Sequence, residues 1–492
     1  MLVIIGSAIV LATFALSLCF RPYSAIRRLP SPAVSELVWG HEKLVFSNPP
    51  GHLFRQWTRE LGLTFRIRAA LGLVLSDPLG ISYLLQKRIF DFHHSRVVRP
   101  RIGRLLGKGL GWVEGEAEHR RMKQLVMPSL TVENIKGMSY DIVDATIPVM
   151  NDLTHLLEAS GGSARVNVLD LMNKVTLNVI GRVAFLHDFE GGNSPAAKDI
   201  LSARSKSLSG IARYSAFLTL MLLRRFPVLN DLPIPALQAQ GIMSTTIKSG
   251  IAREIVRRHE EAAPPIEKKS KDLLSILLTA VREGRMSEAE LYEQWISRVG
   301  GQETTSFTLA FSVLEISRNP HIQERLRNEL ASIPGEVTYE DFESKLPYLD
   351  AVMRETLRMY PALAYMERVA TKSDAIPVQL PIRLSDGRVV NEVEVHPGQT
   401  VIIPIIAIHR SVSVWGDPDV FRPERWLEQL PAQKDLVSGW SNLLSFSNGP
   451  RTCIGRKFAI YEYKQSVETV RQPWRRWNRE LEATVALRSL IK

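Results

Sequence analysis

The feature that most constrains the fold is one long helix, which the sequence predicts from Ser287 to Arg318. Ser287 and Glu290 form an S-x-x-E pair, in which each side chain can accept a hydrogen bond from a backbone N–H group at a helix start. Asn319-Pro320 is typical of the N-cap and first residue of a following helix, so the long helix ends there. A helix of about 30 residues is long for a globular protein.

The rest of the chain is typical of a mainly α domain with small β-sheets near both ends. Residues 130–330 follow a helical pattern almost throughout. Apolar and polar residues alternate in LTFRIRAA and in LGLVLSD, residues 63–77, which predicts strands. Near the C-terminus, SDGR at 385–388 is a hairpin signal, and VEVHPGQTVIIPI at 393–405 is typical of a strand.

The first twenty residues, MLVIIGSAIVLATFALSLCF, carry no charge, and about 20 apolar residues match a bilayer core. The basic segment and small-residue cleavage site of a secretory signal are missing. Arg21, Arg27 and Arg28 follow the run, which predicts a cytosolic body. We therefore expect a transmembrane anchor at 1–20, a proline-rich hinge at 21–35 and one domain at 36–492.

Charge and cysteine content limit the classes of partner. The net charge of +11 implies affinity for something acidic, such as lipid head groups or an acidic protein. The basic residues show neither zinc-finger spacing nor an aromatic–basic RNA-binding pattern, so we expect no nucleic-acid partner. Two cysteines exclude a disulfide scaffold. Cys19 lies in the apolar run, where a small buried side chain is expected, and Cys453 is available as a thiol or thiolate.

The middle of the long helix holds GGQETT, residues 300–305. Each glycine inside a helix lowers helix stability by about 1 kcal/mol relative to alanine, so the presence of two glycines here calls for an explanation. One interpretation is close packing against another helix. The other is that a flat ligand lies against the helix, where Glu303 and Thr304 would supply a carboxylate and a hydroxyl suited to relaying protons.

Glu355 and Arg358 are an i, i+3 pair on one face of a predicted helix. Taken alone, such a pair is typical of an exposed surface and adds only a few tenths of a kcal/mol to stability. Arg425, in the non-helical stretch FRPERWL, could instead join the two in a buried network. The residues leave both interpretations open.

The segment FSNGPRTCIG, residues 446–455, surrounds Cys453 with Gly449, Gly455, Arg451 and Phe446. Glycines let a flat cofactor approach the backbone. We expect backbone N–H groups and the following helix start to lower the pKa of the thiol. A thiolate of this kind could be a redox sensor, a nucleophile or a ligand of heme iron, where it favours O–O cleavage. An aromatic residue seven positions earlier could shield the iron–sulfur bond.

Together these segments resemble the cytochrome P450 family of heme-thiolate monooxygenases. The family's cysteine-loop pattern, F-x-x-G-x-R-x-C-x-G, matches FSNGPRTCIG at every specified position. Its pattern [A/G]-G-x-[D/E]-T-[T/S] matches GGQETT, its E-x-x-R pair matches Glu355 and Arg358, and its P-E-R-[F/W] stretch matches 423–426. Order and spacing agree as well, and the resemblance covers about residues 1–465.

The resemblance implies a cytochrome P450 fold behind the N-terminal transmembrane helix, and it implies a role for each site residue. Cys453 would be the axial thiolate ligand of the heme iron, and Thr304 with Glu303 would deliver protons during dioxygen activation. Arg451 and Arg368 would each contact a heme propionate. The remaining motif residues would form the cofactor-binding loop and a structural network behind it: Phe446, Gly449 and Gly455 in the loop, and Glu355, Arg358 and Arg425 in the network.

Two parts depart from the family's pattern. Its W-x-x-x-R motif falls on His119 and Lys123 in EAEHRRMKQLVMPSL, and a lysine keeps the charge of arginine without its bidentate geometry. We still predict both as heme contacts. After Lys464 the family continues an apolar helix and a β-rich segment that closes part of the substrate pocket. Here Gln472-Pro473 is expected to end the helix, and the tail at 466–492 is short, basic and atypical.

A member of this family would insert one oxygen atom from O2 into an apolar organic substrate, with electrons from NADPH through NADPH–cytochrome P450 reductase. It would be a single-pass protein of the endoplasmic reticulum, with the catalytic domain facing the cytosol. A basic run is a candidate docking face for the acidic reductase, although a merely solvated face is an equal alternative. The run comprises Arg96, Arg99, Arg101, Arg104, Lys108, Arg120, Arg121 and Lys123.

The N-terminal segment and the HRR run resemble fungal members, many of which act in secondary metabolism. A terpenoid-like skeleton is the expected substrate, and fatty-acid hydroxylation is the alternative. The pocket is expected to be lined by 96–112, 205–245 and 364–366, which are largely apolar. Two further alternatives are a rearranging or peroxide-using relative, which the intact Glu303-Thr304 pair disfavours, and a heme-binding protein that its atypical tail has impaired.

Overall fold

The protein is described here from a computed structural model that covers residues 25–33, 36, 39–68, 72–161, 164–209, 213–232, 235–262 and 273–474. Helices make up most of these residues, and the strands form two small sheets. The expected fold class, mainly α with small β-sheets, is therefore confirmed.

Successive α-helices surround the long central helix α15. They are α1 Glu42–Ser47, α2 His52–Leu61, α3 Pro78–Ser82, α4 Val98–Leu106, α5 Glu116–Val126, α6 Val132–Gly137, α7 Ser139–Ala159, α8 Val168–Phe185, α9 Pro195–Ser209, α10 Arg213–Arg225, α11 Pro235–Gln240, α12 Ile242–Thr246, α13 Ala252–Ala262, α14 Leu273–Arg282, α15 Glu288–Arg318, α16 Pro320–Ala331, α17 Tyr339–Ser344, α18 Pro347–Met359, α19 Ile405–His409, α20 Val412–Trp415 and α21 Arg456–Trp474. Short 3-10 or π turns connect several of them.

The strands are β1 Thr64–Ile67, β2 Gly72–Leu75, β3 Phe92–His93, β4 Met366–Ala370, β5 Asp374–Arg383, β6 Val389–Val395 and β7 Thr400–Ile403. Five of them form one sheet in the order β1-β2-β7-β4-β3, in which only the β2–β7 pair is parallel. Strands β5 and β6 form a separate antiparallel hairpin. The predicted strands near the N-terminus and the hairpin turn at 385–388 are confirmed, whereas the stretch 393–405, predicted as one strand, divides into the end of β6 and β7, which belong to different sheets.

Two large apolar cores adjoin at the candidate site. The first is helical and combines buried residues of α7, α8, α14, α15, α18 and α21. Within it, the rings of Phe185 and Trp295 stack with centroids 3.7 Å apart. The second core lies between the strands and α3. Because α15 and α21 belong to the first core and β4 to the second, residues of both cores can meet in one place.

The prediction for the central helix is confirmed at both ends. The Ser287 N–H donates to the Glu290 carboxylate at 2.9 Å, and the Glu290 N–H donates to the Ser287 hydroxyl at 3.2 Å. The helix ends at Arg318, and Pro320 begins α16. Asn319 occupies the N-cap position of α16, but its side-chain amide donates backward to the Glu315 carbonyl at 2.8 Å.

The predicted transmembrane anchor, residues 1–20, lies outside the described residues. In the part of the chain that is described, no helix is long and apolar enough to cross a bilayer. Residues 25–33 of the predicted hinge pack on the domain, with Ile26 and Leu29 buried in the second core. The Pro30 carbonyl accepts a hydrogen bond from the Arg66 N–H at 2.9 Å.

The start of the tail at 466–492 continues α21 as part of the helical core. Ser466, Glu468 and Val470 are buried, and the helix runs one residue past Pro473 to Trp474. Proline lacks the N–H group that a position inside a helix uses, and the helix ends one residue after it. Residues 475–492, the rest of the atypical tail, lie outside the described part.

A buried ion cluster ties α10 to distant parts of the chain. Arg224 of α10 donates to Glu367 of β4 at 2.7 Å and lies 3.4 Å from the carboxylate of Glu42 in α1. Nearby, Val97 packs with Leu223 of α10 and Leu237 of α11. Of the segments predicted around the pocket, described parts of 96–112 and 205–245 therefore pack together, and 205–245 contacts Glu367, the residue directly after 364–366.

Candidate active site

Backbone contacts fix the loop that carries Cys453. Its N–H donates to the Phe446 carbonyl at 2.9 Å, just before α21. Gly449 has a φ of +70°, and a Cβ there would lie 2.1 Å from the Leu85 carbonyl oxygen. Only glycine combines this conformation with so close an approach. The Phe446 ring packs edge to face against Trp440, with centroids 5.5 Å apart.

Cys453 is an exposed residue, yet burial among protein atoms raises the pKa of its thiol. The prediction that the loop would lower this pKa is therefore wrong. N–H groups of Gly455 and Arg456 and the charge of Arg298 do act in the lowering direction. They are outweighed because removal from bulk water disfavours the charged thiolate. The sulfur thus faces a space enclosed by protein.

The two glycines of GGQETT serve different purposes. A Cβ on Gly300 would lie 2.6 Å from the Leu106 Cδ2 atom of α4, whereas a Cβ on Gly301 would meet nothing within 4 Å. Close packing therefore accounts for Gly300, and open space accounts for Gly301. Close packing is thus confirmed for Gly300, and a flat ligand lying against the helix stays a prediction for Gly301.

The other residues of GGQETT alternate between contacts to neighbouring helices and the open face. Gln302 is buried and accepts a hydrogen bond from the Thr176 hydroxyl of α8. Thr304 is exposed, and its hydroxyl donates to the Gly301 carbonyl at 2.9 Å. Glu303 is half-buried beside it. Gly301 and Thr304 thus share a face of α15 that is open and carries one hydroxyl.

The two predicted propionate contacts, Arg451 and Arg368, form one positively charged cluster with the two other predicted heme contacts, His119 and Lys123. The charge of Arg451 acts on both Arg368 and His119, and the charge of Lys123 acts on His119. Burial lowers the pKa of Arg368 to about 10 and that of His119 to about 4, so at pH 7 only the arginine is charged. Nε and Nη1 of Arg368 and Nε of Arg451 are buried and have no hydrogen-bond partner among the described residues.

Two members of this cluster were missed by the sequence analysis. The Glu114 carboxylate lies 3.1 Å from Arg451 Nη2 and 2.6 Å from His94 Nδ1. Burial opposes ionisation of Glu114, but hydrogen bonds from His94 and the charges of His94 and Arg451 lower its pKa to about 2. A lone carboxylate and one of two consecutive histidines match no motif, and their only signal was nearness to EAEHRR.

Glu355, Arg358 and Arg425 form a buried network, so the alternative of an exposed surface pair is wrong. The side chains of Glu355 and Arg358 are fully buried and joined by two hydrogen bonds of 2.8 Å. Arg425 Nε donates to Glu355 at 2.9 Å, and Trp426 Nε1 donates to it at 3.0 Å. The Arg422 backbone N–H also donates to this carboxylate at 2.9 Å, so it has four partners from two segments.

The network continues to the cysteine loop. Arg358 Nη1 donates to the His409 carbonyl at 2.9 Å, and His409 Nε2 accepts from the Leu444 N–H at 2.8 Å. The Ser445 hydroxyl donates to the Leu357 carbonyl of α18 at 2.8 Å. The chain directly before FSNGPRTCIG is therefore held against α18.

The predicted docking residues do not all remain available to a partner. Arg104 bonds to Asn230 and Gln240, and Arg121 pairs with Glu290 at the start of α15. The remaining docking prediction therefore concerns the exposed members of the run. These are Arg96, Arg101, Lys108 and Arg120.

The residues present fit a heme. Cys453 is an exposed residue of a rigid loop, and a Cβ on Gly301 or Gly455 would meet none of the described atoms within 4 Å, which leaves room for a flat ring. The buried nitrogen atoms of Arg368 and Arg451 that lack partners suit two carboxylates, since buried donors are nearly always hydrogen-bonded. Thiolate is one of the ligands that proteins use for heme iron.

Comparisons with known proteins agree with this arrangement. Residues 30–473 match the family model described as Cytochrome P450. The chain is 30% identical to Cytochrome P450 monooxygenase claQ of Ampulloclitocybe clavipes over 457 residues, 90% of this chain and 84% of the relative. It is 31% identical to Cytochrome P450 monooxygenase 205 of Postia placenta over 461 residues, again 90% and 84% of the two chains. The chain therefore belongs to the cytochrome P450 family and is one of its monooxygenases.

Proposed function

We propose that this monooxygenase holds heme iron through Cys453 and oxygenates an apolar, terpenoid-like substrate of fungal secondary metabolism. The observation that carries the proposal is the exposed residue Cys453 in its fixed loop, together with the Arg368 and Arg451 nitrogen atoms that lack partners among the described residues. When bound, a heme-thiolate supplies dioxygen activation, which the electron-donating sulfur favours.

The protein's own residues bind and orient this group. Arg368 and Arg451 hold the two propionates. The half-buried Lys123 and the neutral His119 complete the polar side of the proposed heme site. Glu114 already neutralises part of the charge of Arg451. The Glu355 network keeps the loop in place from behind.

Thr304 and Glu303 move protons on the open face of α15. The Thr304 hydroxyl is exposed and donates a hydrogen bond to the Gly301 carbonyl at 2.9 Å. In this position the hydroxyl can accept a hydrogen bond from the pocket, and rotation of the hydroxyl would let it donate there instead, as a positioned general acid does. The adjacent Glu303 carboxyl restores the proton. The presence of this pair supports O2 chemistry with external electrons over the peroxide-using alternative.

Electrons come from NADPH through a reductase, and the chain is anchored in the endoplasmic reticulum membrane by residues 1–20. Family membership supports the first part, because cytochromes P450 generally take electrons from a redox partner. The uncharged run at the N-terminus supports the second. The exposed basic residues Arg96, Arg101, Lys108 and Arg120 are the candidates for reductase contact.

An absorption spectrum of the reduced, carbon-monoxide-bound protein tests the Cys453 assignment. The unchanged chain is expected to show a thiolate-type Soret band, and Cys453→Ala is expected to lose it. Cys19→Ala removes the other of the two cysteines and serves as the matched control, with the band retained. A thiolate-type band in Cys453→Ala, or none in the unchanged chain, would refute the assignment.

Metabolite comparison tests the substrate class. Deletion of the gene in its host is expected to remove an oxygenated terpenoid-like product and to leave a less oxidised precursor. The apolar cluster of Val97, Leu223 and Leu237 near the pocket supports an apolar substrate. A change confined to hydroxylated fatty acids would favour the alternative substrate class.

A further inference from the structure

Glu114, just before α5, is a carboxylate held by two distant segments of the chain. Its side chain is 9% exposed. One oxygen accepts hydrogen bonds from the His94 backbone N–H at 2.8 Å and from His94 Nδ1 at 2.6 Å. The other oxygen accepts from Arg451 Nη2 at 3.1 Å. Because the pKa of Glu114 is about 2, its carboxylate only accepts, and His94 Nδ1 must carry the proton that it donates.

The sheet fixes the position of His94. Strand β3 pairs antiparallel with β4, and His93 lies opposite Val369. His94 directly follows His93, and Arg368 directly precedes Val369, so the same register brings His94 toward Arg368. The charge of Arg368 acts on His94, and that of Glu114 acts on Arg368. The His94–Glu114 pair therefore adjoins both arginines assigned to the propionates.

The contacts of Arg451 leave one part of its guanidinium group free. Nη2 donates to the Val113 carbonyl at 2.8 Å as well as to Glu114. The guanidinium carbon lies over the Phe90 ring, 5.4 Å from its centroid. Nε is buried and has no hydrogen-bond partner among the described residues. Arg451 is therefore held at Nη2, while Nε remains available to another acceptor.

Two roles for Glu114 are conceivable, and they differ in sign. As a competitor, its carboxylate would occupy Arg451 in place of an anionic ligand and weaken binding. As a positioning group, it would fix Arg451 in advance, so that less side-chain entropy is lost when a ligand binds. The contacts favour positioning, because Glu114 uses Nη2 and leaves Nε free, and because His94 holds Glu114 itself in place.

We propose that Glu114, held by His94, is a positioning residue of the heme site and fixes Arg451 so that its Nε meets a propionate. The inference rests on the proposed heme binding at Cys453. Glu114 acts through Arg451 and not on the iron ligand. Its removal should therefore weaken heme retention while the iron–thiolate bond persists.

Transfer of heme from the loaded, full-length protein to excess apomyoglobin tests this proposal. Glu114→Gln removes the charge and can accept hydrogen bonds at only one of its two ends. It is expected to release heme roughly tenfold faster, the order of magnitude that one hydrogen bond to a charged group contributes. Glu116→Gln is the matched control, with an unchanged rate, because Glu116 pairs with Arg120 on the exposed surface two residues further on.

The same measurement in an Arg451→Leu background separates positioning from a merely structural role. If Glu114 acts through Arg451, Glu114→Gln causes no further acceleration there. Equal acceleration in both backgrounds would show independent effects and overturn the inference. Slower heme release in Glu114→Gln would show that Glu114 competes with the propionate, and it would overturn the inference as well.

The remaining outcomes separate this inference from the proposed function. An unchanged release rate in Glu114→Gln, with the thiolate-type Soret band intact, overturns the inference alone. A missing thiolate-type band in the unchanged protein refutes the proposed function instead. His94→Leu covers poor folding of Glu114→Gln, since it removes the ring donor and leaves the backbone N–H in place. Faster heme release is expected in His94→Leu, and an unchanged rate there would overturn the inference.

Discussion

Glu462 shows how burial alters the chemistry of one residue. Its side chain lies on α21 at 2% exposure, with one oxygen lacking a partner and a hydrogen bond to Thr305 of α15. Burial raises the pKa of this carboxyl to about 8, so the folded protein keeps it protonated at pH 7. The unfolded chain would ionise it near pH 4.5.

Glu462→Gln is therefore expected to stabilise the protein in a pH-dependent way. Between pH 4.5 and pH 8 the unfolded carboxyl loses its proton and the folded one keeps it, so the stability of the unchanged protein falls as pH rises. Glutamine does not titrate. The gain is expected to grow across this window to a few kcal/mol near pH 8. Thermal unfolding of both proteins at several pH values measures it, and parallel pH curves would contradict the explanation.

Single residues were predictable where a motif fixed them. The Cys453 loop and the Glu355–Arg358 pair follow from short local patterns. The pKa direction of the Cys453 thiol was not predictable, because it depends on how much protein surrounds the sulfur. His94 and Glu114 were missed because their pairing with Arg451 joins segments far apart in sequence.

At the scale of elements, the Glu355 network joins α18 to the segment Pro423–Trp426 and to the chain before the cysteine loop. Two arginines share its one carboxylate. Removing the carboxylate would leave both guanidinium groups buried with incomplete pairing. The stability of the loop therefore depends on a contact far from the sulfur.

Glu355→Gln is expected to destabilise the protein by about 3–5 kcal/mol, because it leaves buried charges uncompensated. Thermal unfolding and heme content per chain measure the loss. Glu254→Gln is the matched control. Glu254 also pairs with two arginines, including Arg257 three residues later, but on the exposed surface of α13. Similar losses in the two variants would contradict the role of burial.

Elements were predictable where their ends carry local signals. The capping box and Pro320 fix α15 at both ends. The pairing of the two-residue strand β3 with β4 was not predictable, since it depends on contacts across more than 270 residues. The sequence also could not show that the two helix glycines differ in surroundings, because Leu106 comes from α4.

At the scale of the molecule, the proposed heme contacts come from both cores. Cys453 precedes α21 of the helical core, and Arg368 lies on β4 at the second core. A cofactor bound between them links parts that the chain connects only through loops. It also pairs the two buried arginines. Its removal should therefore weaken the whole fold rather than one loop.

Heme-loaded protein is expected to unfold at a higher temperature than the same protein prepared without heme. A ligand present at about 1,000 times its Kd adds about 4 kcal/mol if it binds only the folded state. Differential scanning calorimetry of the two preparations measures the difference in unfolding temperature. Arg368→Leu removes one proposed propionate contact and is expected to reduce it. Equal transitions with and without heme would contradict the shared site.

The consecutive glycines of α15 have a consequence for how this enzyme can acquire new specificity. A methyl group at Gly301 would meet no atom within 4 Å, whereas one at Gly300 would require Leu106 to move. Replacing a helix-interior glycine by alanine gains about 1 kcal/mol. The chain thus gives up stability at Gly301 to keep room over the pocket. A single Gly301→Ala mutation would narrow the pocket, increase the stability of the helix and leave the rest of the fold unchanged. It would therefore be a short evolutionary step toward smaller substrates.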